Sequence, residues 1–105
     1  MEPMADFVKI TSIKSIPQGH MVGVKVEDKE ILIANLEGKF YAVGDKCTHV
    51  GCLLSEGTLR GDRVTCPCHF SVFNVKDGSA IKPPAKKPLL TYDVVVLGDD
   101  IVVKL

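Results

Sequence analysis

The chain has 105 residues, 46% of them hydrophobic and 25% charged, with 13 basic side chains balancing 13 acidic ones. That is the composition of one small globular domain, spanning 1–105, and a net charge of zero gives no overall field to attract nucleic acid or an anionic membrane. Residues 1–6 lack a basic start and lead into no apolar core, and the longest aliphatic runs, 31–34 and 94–97, are far too short to cross a bilayer. A cytoplasmic location with no membrane span is therefore expected.

Taken in order, the elements read as strands. Residues 7–10 and 21–26 are rich in β-branched side chains with partial alternation. Glu27-Asp28-Lys29 links the second of these to 31–35, and Glu37-Gly38 turns that strand into 39–43. Further on, Gly61-Asp62 separates 58–60 from 63–65, and Gly98-Asp99 separates 92–97 from 101–105. Short strands at regular spacing with turn chemistry between them predict an all-β antiparallel sandwich or small barrel. No internal repeat or interdomain linker interrupts the pattern.

Between these strands lie two boxes that carry the chemistry, Cys47-Thr48-His49 and Cys66-Pro67-Cys68-His69. Each supplies one thiolate and one imidazole, and residues 50–65 leave enough chain to fold the second box opposite the first. In a [2Fe–2S] centre of mixed ligation two Cys hold one iron and two His the other, which raises the reduction potential. A tetrahedral zinc site uses the same four side chains, although zinc sites usually group Cys with Cys and His with His. A dithiol redox enzyme built on Cys66 and Cys68 is a third reading, weakened because that motif spaces its cysteines as C-x-x-C.

The two boxes resemble those of the Rieske iron–sulfur proteins. The similarity extends through Leu54-Ser55-Glu56-Gly57, Gly61, Val64, Phe73, Gly78 and Pro83-Pro84 to the closing Tyr92–Asp99 stretch. It implies layered antiparallel sheets with an inserted cluster-binding subdomain at about 45–74. It also implies one [2Fe–2S] cluster held by Cys47, His49, Cys66 and His69. Rieske subunits of respiratory and photosynthetic complexes generally carry a membrane anchor, for which nothing in this chain provides the apolar run.

The resemblance assigns roles beyond the ligands. Cys52 and Cys68 stand where high-potential Rieske subunits carry a disulfide, whereas most ferredoxins that feed ring-hydroxylating oxygenases lack both. Ser71 matches a Ser that donates a hydrogen bond to the cluster in those relatives, but Phe73 stands where they have a donating Tyr. The family pattern also has Gly where this chain has Phe70. An intermediate potential is expected, inside the window of about −150 to +300 mV known for Rieske centres. Pro83-Pro84 matches a loop that covers the cluster, and Lys76, Lys82, Lys86 and Lys87 form either a basic docking rim or a solvated face.

The function implied is that of a soluble, monomeric one-electron carrier rather than an enzyme. Its partners are redox proteins such as a reductase and an oxygenase. The alternatives are a Rieske subunit of a larger oxidoreductase, like the small subunit of a nitrite reductase, and a zinc-stabilised binding module.

Overall fold

The structure is a computed structural model that describes residues 7–47, 51–68, 70–83 and 86–105. Among the described residues there are eleven strands, all paired antiparallel, in three sheets. Sheet I orders β1 (Phe7–Ser12), β11 (Asp100–Lys104) and β10 (Val94–Leu97). Sheet II orders β2 (Met21–Val26), β3 (Lys29–Leu36), β4 (Lys39–Gly44) and β9 (Thr91–Tyr92). Sheet III is a meander of β5 (Thr58–Arg60), β6 (Arg63–Thr65), β7 (Val72–Asn74) and β8 (Ala80–Lys82). No described helix is long and apolar enough to cross a membrane.

The turn chemistry read from the sequence sets the registers. Leu36 pairs with Lys39 around Glu37-Gly38, and both turn residues hold positive φ, 55° and 89°. That is the signature of the two-residue turn whose twist matches the flanking strands. Val26 pairs with Lys29, so the β2–β3 turn is Glu27-Asp28 alone and Lys29 already belongs to the strand.

β3 explains how the layers stack. Successive side chains of a strand point to opposite faces. Leu32 and Ala34 pack in one core with Val64, Phe73 and Val75 of the third-sheet region, while Ile31 and Ile33 pack in a second core with Ile101 and Val103 of sheet I. Sheet II is thus the middle layer, and an unbroken apolar run suits a strand covered on both sides. Full burial of a large aliphatic side chain contributes about 1.5–3 kcal/mol, so this strand is a principal source of stability.

One expectation needs correction. Residues 92–97 do not form a single strand, because Tyr92 pairs with Ala42 in sheet II whereas Val94 pairs with Val103 in sheet I. Asp93 lies between them and its carbonyl accepts the Lys104 N–H at 2.9 Å. The chain changes sheets at this residue, so one apolar stretch serves two layers.

Candidate metal centre

Two loops rise from the core that joins sheets II and III, and they are built on one hydrogen-bond plan. In the first, the Cys47 N–H donates to the Cys52 carbonyl at 2.8 Å, and the Gly51 N–H donates back to the Cys47 carbonyl at 2.8 Å. In the second, the Cys66 N–H donates to the Ser71 carbonyl at 2.8 Å, and the Phe70 N–H donates to the Cys66 carbonyl at 3.1 Å. Below each loop the flanking residues pair across it, Lys46 with Leu53 and Thr65 with Val72. Each closure therefore places a cysteine at the same station of a six-residue loop.

The return bond requires the residue four after the cysteine to take left-handed backbone. Gly51 does so at φ 77° and Phe70 at φ 61°. For Gly this costs nothing, whereas a side chain bearing Cβ is strained there. The loop path is kept even though Phe stands where the family pattern has Gly, and the phenyl ring is 68% exposed.

Cys47 and Cys66 are the free cysteines among the described residues, and both are buried in the core that contains Leu54, Val64 and Phe73. Cys52 and Cys68 are joined as a disulfide, with Cα atoms 6.5 Å apart, so the two loops are covalently tied. The Cys66 sulfur lies within 4.8 Å of both bridged sulfurs. Ser71, which closes the second loop, and Phe73 of β7 are fully buried. Phe73 presents no polar atom there. His49 and His69 lie outside the described residues, as does Pro84; Pro83, Lys82 and Lys86 are exposed.

A brace that the sequence did not reveal holds the first loop. Asp45, two residues before Cys47, is buried and accepts hydrogen bonds from both the Ser55 N–H at 2.7 Å and the Ser55 hydroxyl at 2.6 Å. Its backbone N–H donates to the Glu30 carbonyl at 3.0 Å, and its carbonyl accepts from Leu54 N–H at 2.7 Å. Burial pushes the Asp45 carboxyl above its usual range, against the lowering effect of the Ser55 bonds. Gly23 of β2 lies directly beneath, where a Cβ would collide with the Ser55 hydroxyl and the Asp45 carboxylate. The resemblance had drawn attention to Ser55, but only the fold shows what it holds.

The donor set fits an iron–sulfur group. Two reduced cysteines stand at equivalent stations of two loops, the other two described cysteines are tied up in the bridge, and thiolates are the preferred ligands of such clusters. A groove of about 480 Å³ runs along β4, β9 and β10 past Lys39, Tyr41, Tyr92 and Asp93, and no described residue of either loop lines it.

Comparison with known proteins agrees with this reading. Residues 6–93 match the family model of the Rieske [2Fe–2S] domain. The ferredoxin component of the naphthalene 1,2-dioxygenase/salicylate 5-hydroxylase systems of Ralstonia sp is 35% identical over 100 residues, covering 95% of this chain and 96% of that one. The ferredoxin component of biphenyl 2,3-dioxygenase from Rhodococcus jostii (strain RHA1) is 39% identical over 97 residues, covering 92% and 91%. Among solved structures, a chain in the complex of reduced oxygenase and oxidized ferredoxin of carbazole 1,9a-dioxygenase superimposes with a TM-score of 0.89 at 32% identity, covering 94% of this chain and 93% of that one. The protein belongs to the Rieske [2Fe–2S] domain family.

Proposed function

We propose that this protein is the ferredoxin component of an oxygenase system, accepting one electron at a time from a reductase and passing it to a terminal oxygenase. The observation that carries the reading is the pair of identically closed loops, each offering a buried free cysteine, in a chain that matches dioxygenase ferredoxins along nearly the whole of both lengths. Cys47 and Cys66 hold one iron and His49 and His69 the other, within a single domain whose subdomain at about 45–74 carries the ligands. The cluster supplies the reversible one-electron couple.

The chain's own residues determine how that couple is used. The loop closures and the Cys52–Cys68 bridge fix the ligand stations, and fixed ligands keep reorganisation on electron transfer small. The full burial of Ser71 and Phe73 keeps solvent away from the sulfur side. Coverage of 96% of the Ralstonia sp ferredoxin component supports a carrier of that kind. A cytoplasmic location is part of this reading.

The test is reconstitution with the reductase and oxygenase of a naphthalene dioxygenase system. NADH-driven bleaching of the visible spectrum and ferredoxin-dependent substrate turnover support the proposal. A chain that reduces with dithionite but neither accepts electrons from the reductase nor supports turnover contradicts its assignment to such systems.

A further inference from the structure

Three sulfurs meet at one point of this fold, and the cluster accounts for only one of them. Cys66 carries a free sulfur within 4.8 Å of both members of the Cys52–Cys68 bridge. Cys68 is exposed, Cys52 is half-buried and Cys66 is fully buried. A thiolate beside a disulfide is the starting arrangement for exchange, and an iron-bound cysteine is already deprotonated. Departure of the metal therefore frees a cysteine whose sulfur lies within 4.8 Å of both sulfurs of a bond that its thiolate can break.

We propose that Cys66, once released from iron, attacks the Cys52 sulfur and transfers the disulfide to Cys52–Cys66, expelling Cys68 as a thiolate. The proposal rests on Cys66 being a cluster ligand. One sulfur–sulfur bond forms as one breaks, the negative charge moves from Cys66 to Cys68, and no external oxidant or reductant takes part. The direction follows from the surroundings of the three sulfurs. Expulsion of Cys68 places the new charge at an exposed residue, where water stabilises it, whereas attack on Cys68 would expel a thiolate at half-buried Cys52. Attack on Cys68 would also close a short ring across Pro67, whose fixed φ limits the adjustment available.

The consequence is a chain that records loss of its cluster. The exchanged form has a ligand sealed in a disulfide, so it cannot take up a cluster again until a thiol reductant restores Cys66. Its one new exposed thiol, at Cys68, marks it chemically. In the loaded protein the iron occupies Cys66 and suppresses the exchange.

The experiment begins with iron and acid-labile sulfide determination on the protein as prepared, which tests the cluster reading separately. Metal is then removed with a chelator under anaerobic conditions without thiols, and samples are taken with time, quenched in acid, blocked with N-ethylmaleimide and digested with pepsin. The expected result is progressive replacement of the Cys52–Cys68 peptide by a Cys52–Cys66 peptide, with Cys68 becoming blocked in step. Cluster reconstitution of the aged sample should require dithiothreitol, while a Cys52→Ser/Cys68→Ser chain treated alike should reload without it. Persistence of Cys52–Cys68 with Cys66 blocked, or transfer of the bridge to any other pair, overturns the proposal.

Discussion

Gly51 and Phe70 occupy the same station in the two ligand loops, each returning its N–H to the carbonyl of the cysteine four residues before it. One does so without strain, whereas the other holds an aromatic side chain in left-handed backbone at φ 61° and leaves it 68% exposed. The equivalence makes the backbone contribution of each loop separately measurable.

Phe70→Gly should stabilise the protein. Left-handed backbone costs a residue with Cβ about 1–2 kcal/mol, while Gly loses about 0.5–1 kcal/mol more entropy on folding. The net expectation is a gain of about 0.5–1 kcal/mol, read as a higher denaturant midpoint for loss of the visible spectrum. Gly51→Ala is the reciprocal test. No described residue places an atom within 4 Å of the added Cβ, so a loss of about 1 kcal/mol there reports backbone strain.

Asp45→Ala should cost about 2–3 kcal/mol, because it leaves the Ser55 N–H and hydroxyl without their acceptor. Gly23→Ala should weaken the same brace from below by forcing Ser55 and Asp45 apart. In both variants faster cluster bleaching on dilution into chelator is the measurement that checks a role in holding the first loop.

The same carboxyl gives a pH dependence whose sign is fixed. Burial raises the folded-state pKa of Asp45 above its value in the unfolded chain. Its favourable contribution is therefore complete below the unfolded value, about 3.9, and is lost as pH rises through the folded value. Asp45→Asn, which can keep partners for both Ser55 groups, removes that titration. The stability of the Asn variant relative to the parent should increase with pH across this interval and then level off, as followed by denaturation at a series of pH values.

Removal of the bridge in a Cys52→Ser/Cys68→Ser chain should lower stability by about 3 kcal/mol, the chain-entropy value for a loop of this length. The cluster spectrum of freshly loaded protein should be little changed, because neither residue is a proposed ligand, but its half-life in denaturant should shorten.

The potential tests Ser71 and Phe73. Hydrogen bonds to cluster sulfur stabilise the reduced state, so Ser71→Ala should lower the potential and Phe73→Tyr should raise it. Both side chains are fully buried, so an added hydroxyl at residue 73 has no water available and must find a partner in the protein. Protein-film voltammetry that shows no shift in either variant would refute this account of tuning.

Much of this architecture was legible in the sequence because its determinants are local. The Glu37-Gly38 turn, the strands on either side of it and the two mixed Cys/His boxes declare themselves within a few residues. The unity of 92–97 did not survive, since a run of β-branched residues cannot say which sheet each half joins, and the change at Asp93 is set by partners far along the chain. The Asp45–Ser55 brace was silent for the same reason. An Asp before a loop is ordinary, and only burial with Gly23 beneath it makes it structural. The matched loop closures were legible in principle, since Cys47 to Cys52 and Cys66 to Ser71 share one spacing, but Phe70 in the place of Gly hid the likeness.

Mixed thiolate–imidazole ligation of a two-iron centre underlies every role assigned above. Pulsed EPR of the reduced, histidine-specific nitrogen-15-labelled protein tests it most directly. The expected result is strong coupling of the electron spin to two imidazole nitrogens in a sample that contains equal amounts of iron and acid-labile sulfide. A colourless zinc protein, or an iron–sulfur signal without imidazole coupling, would contradict it.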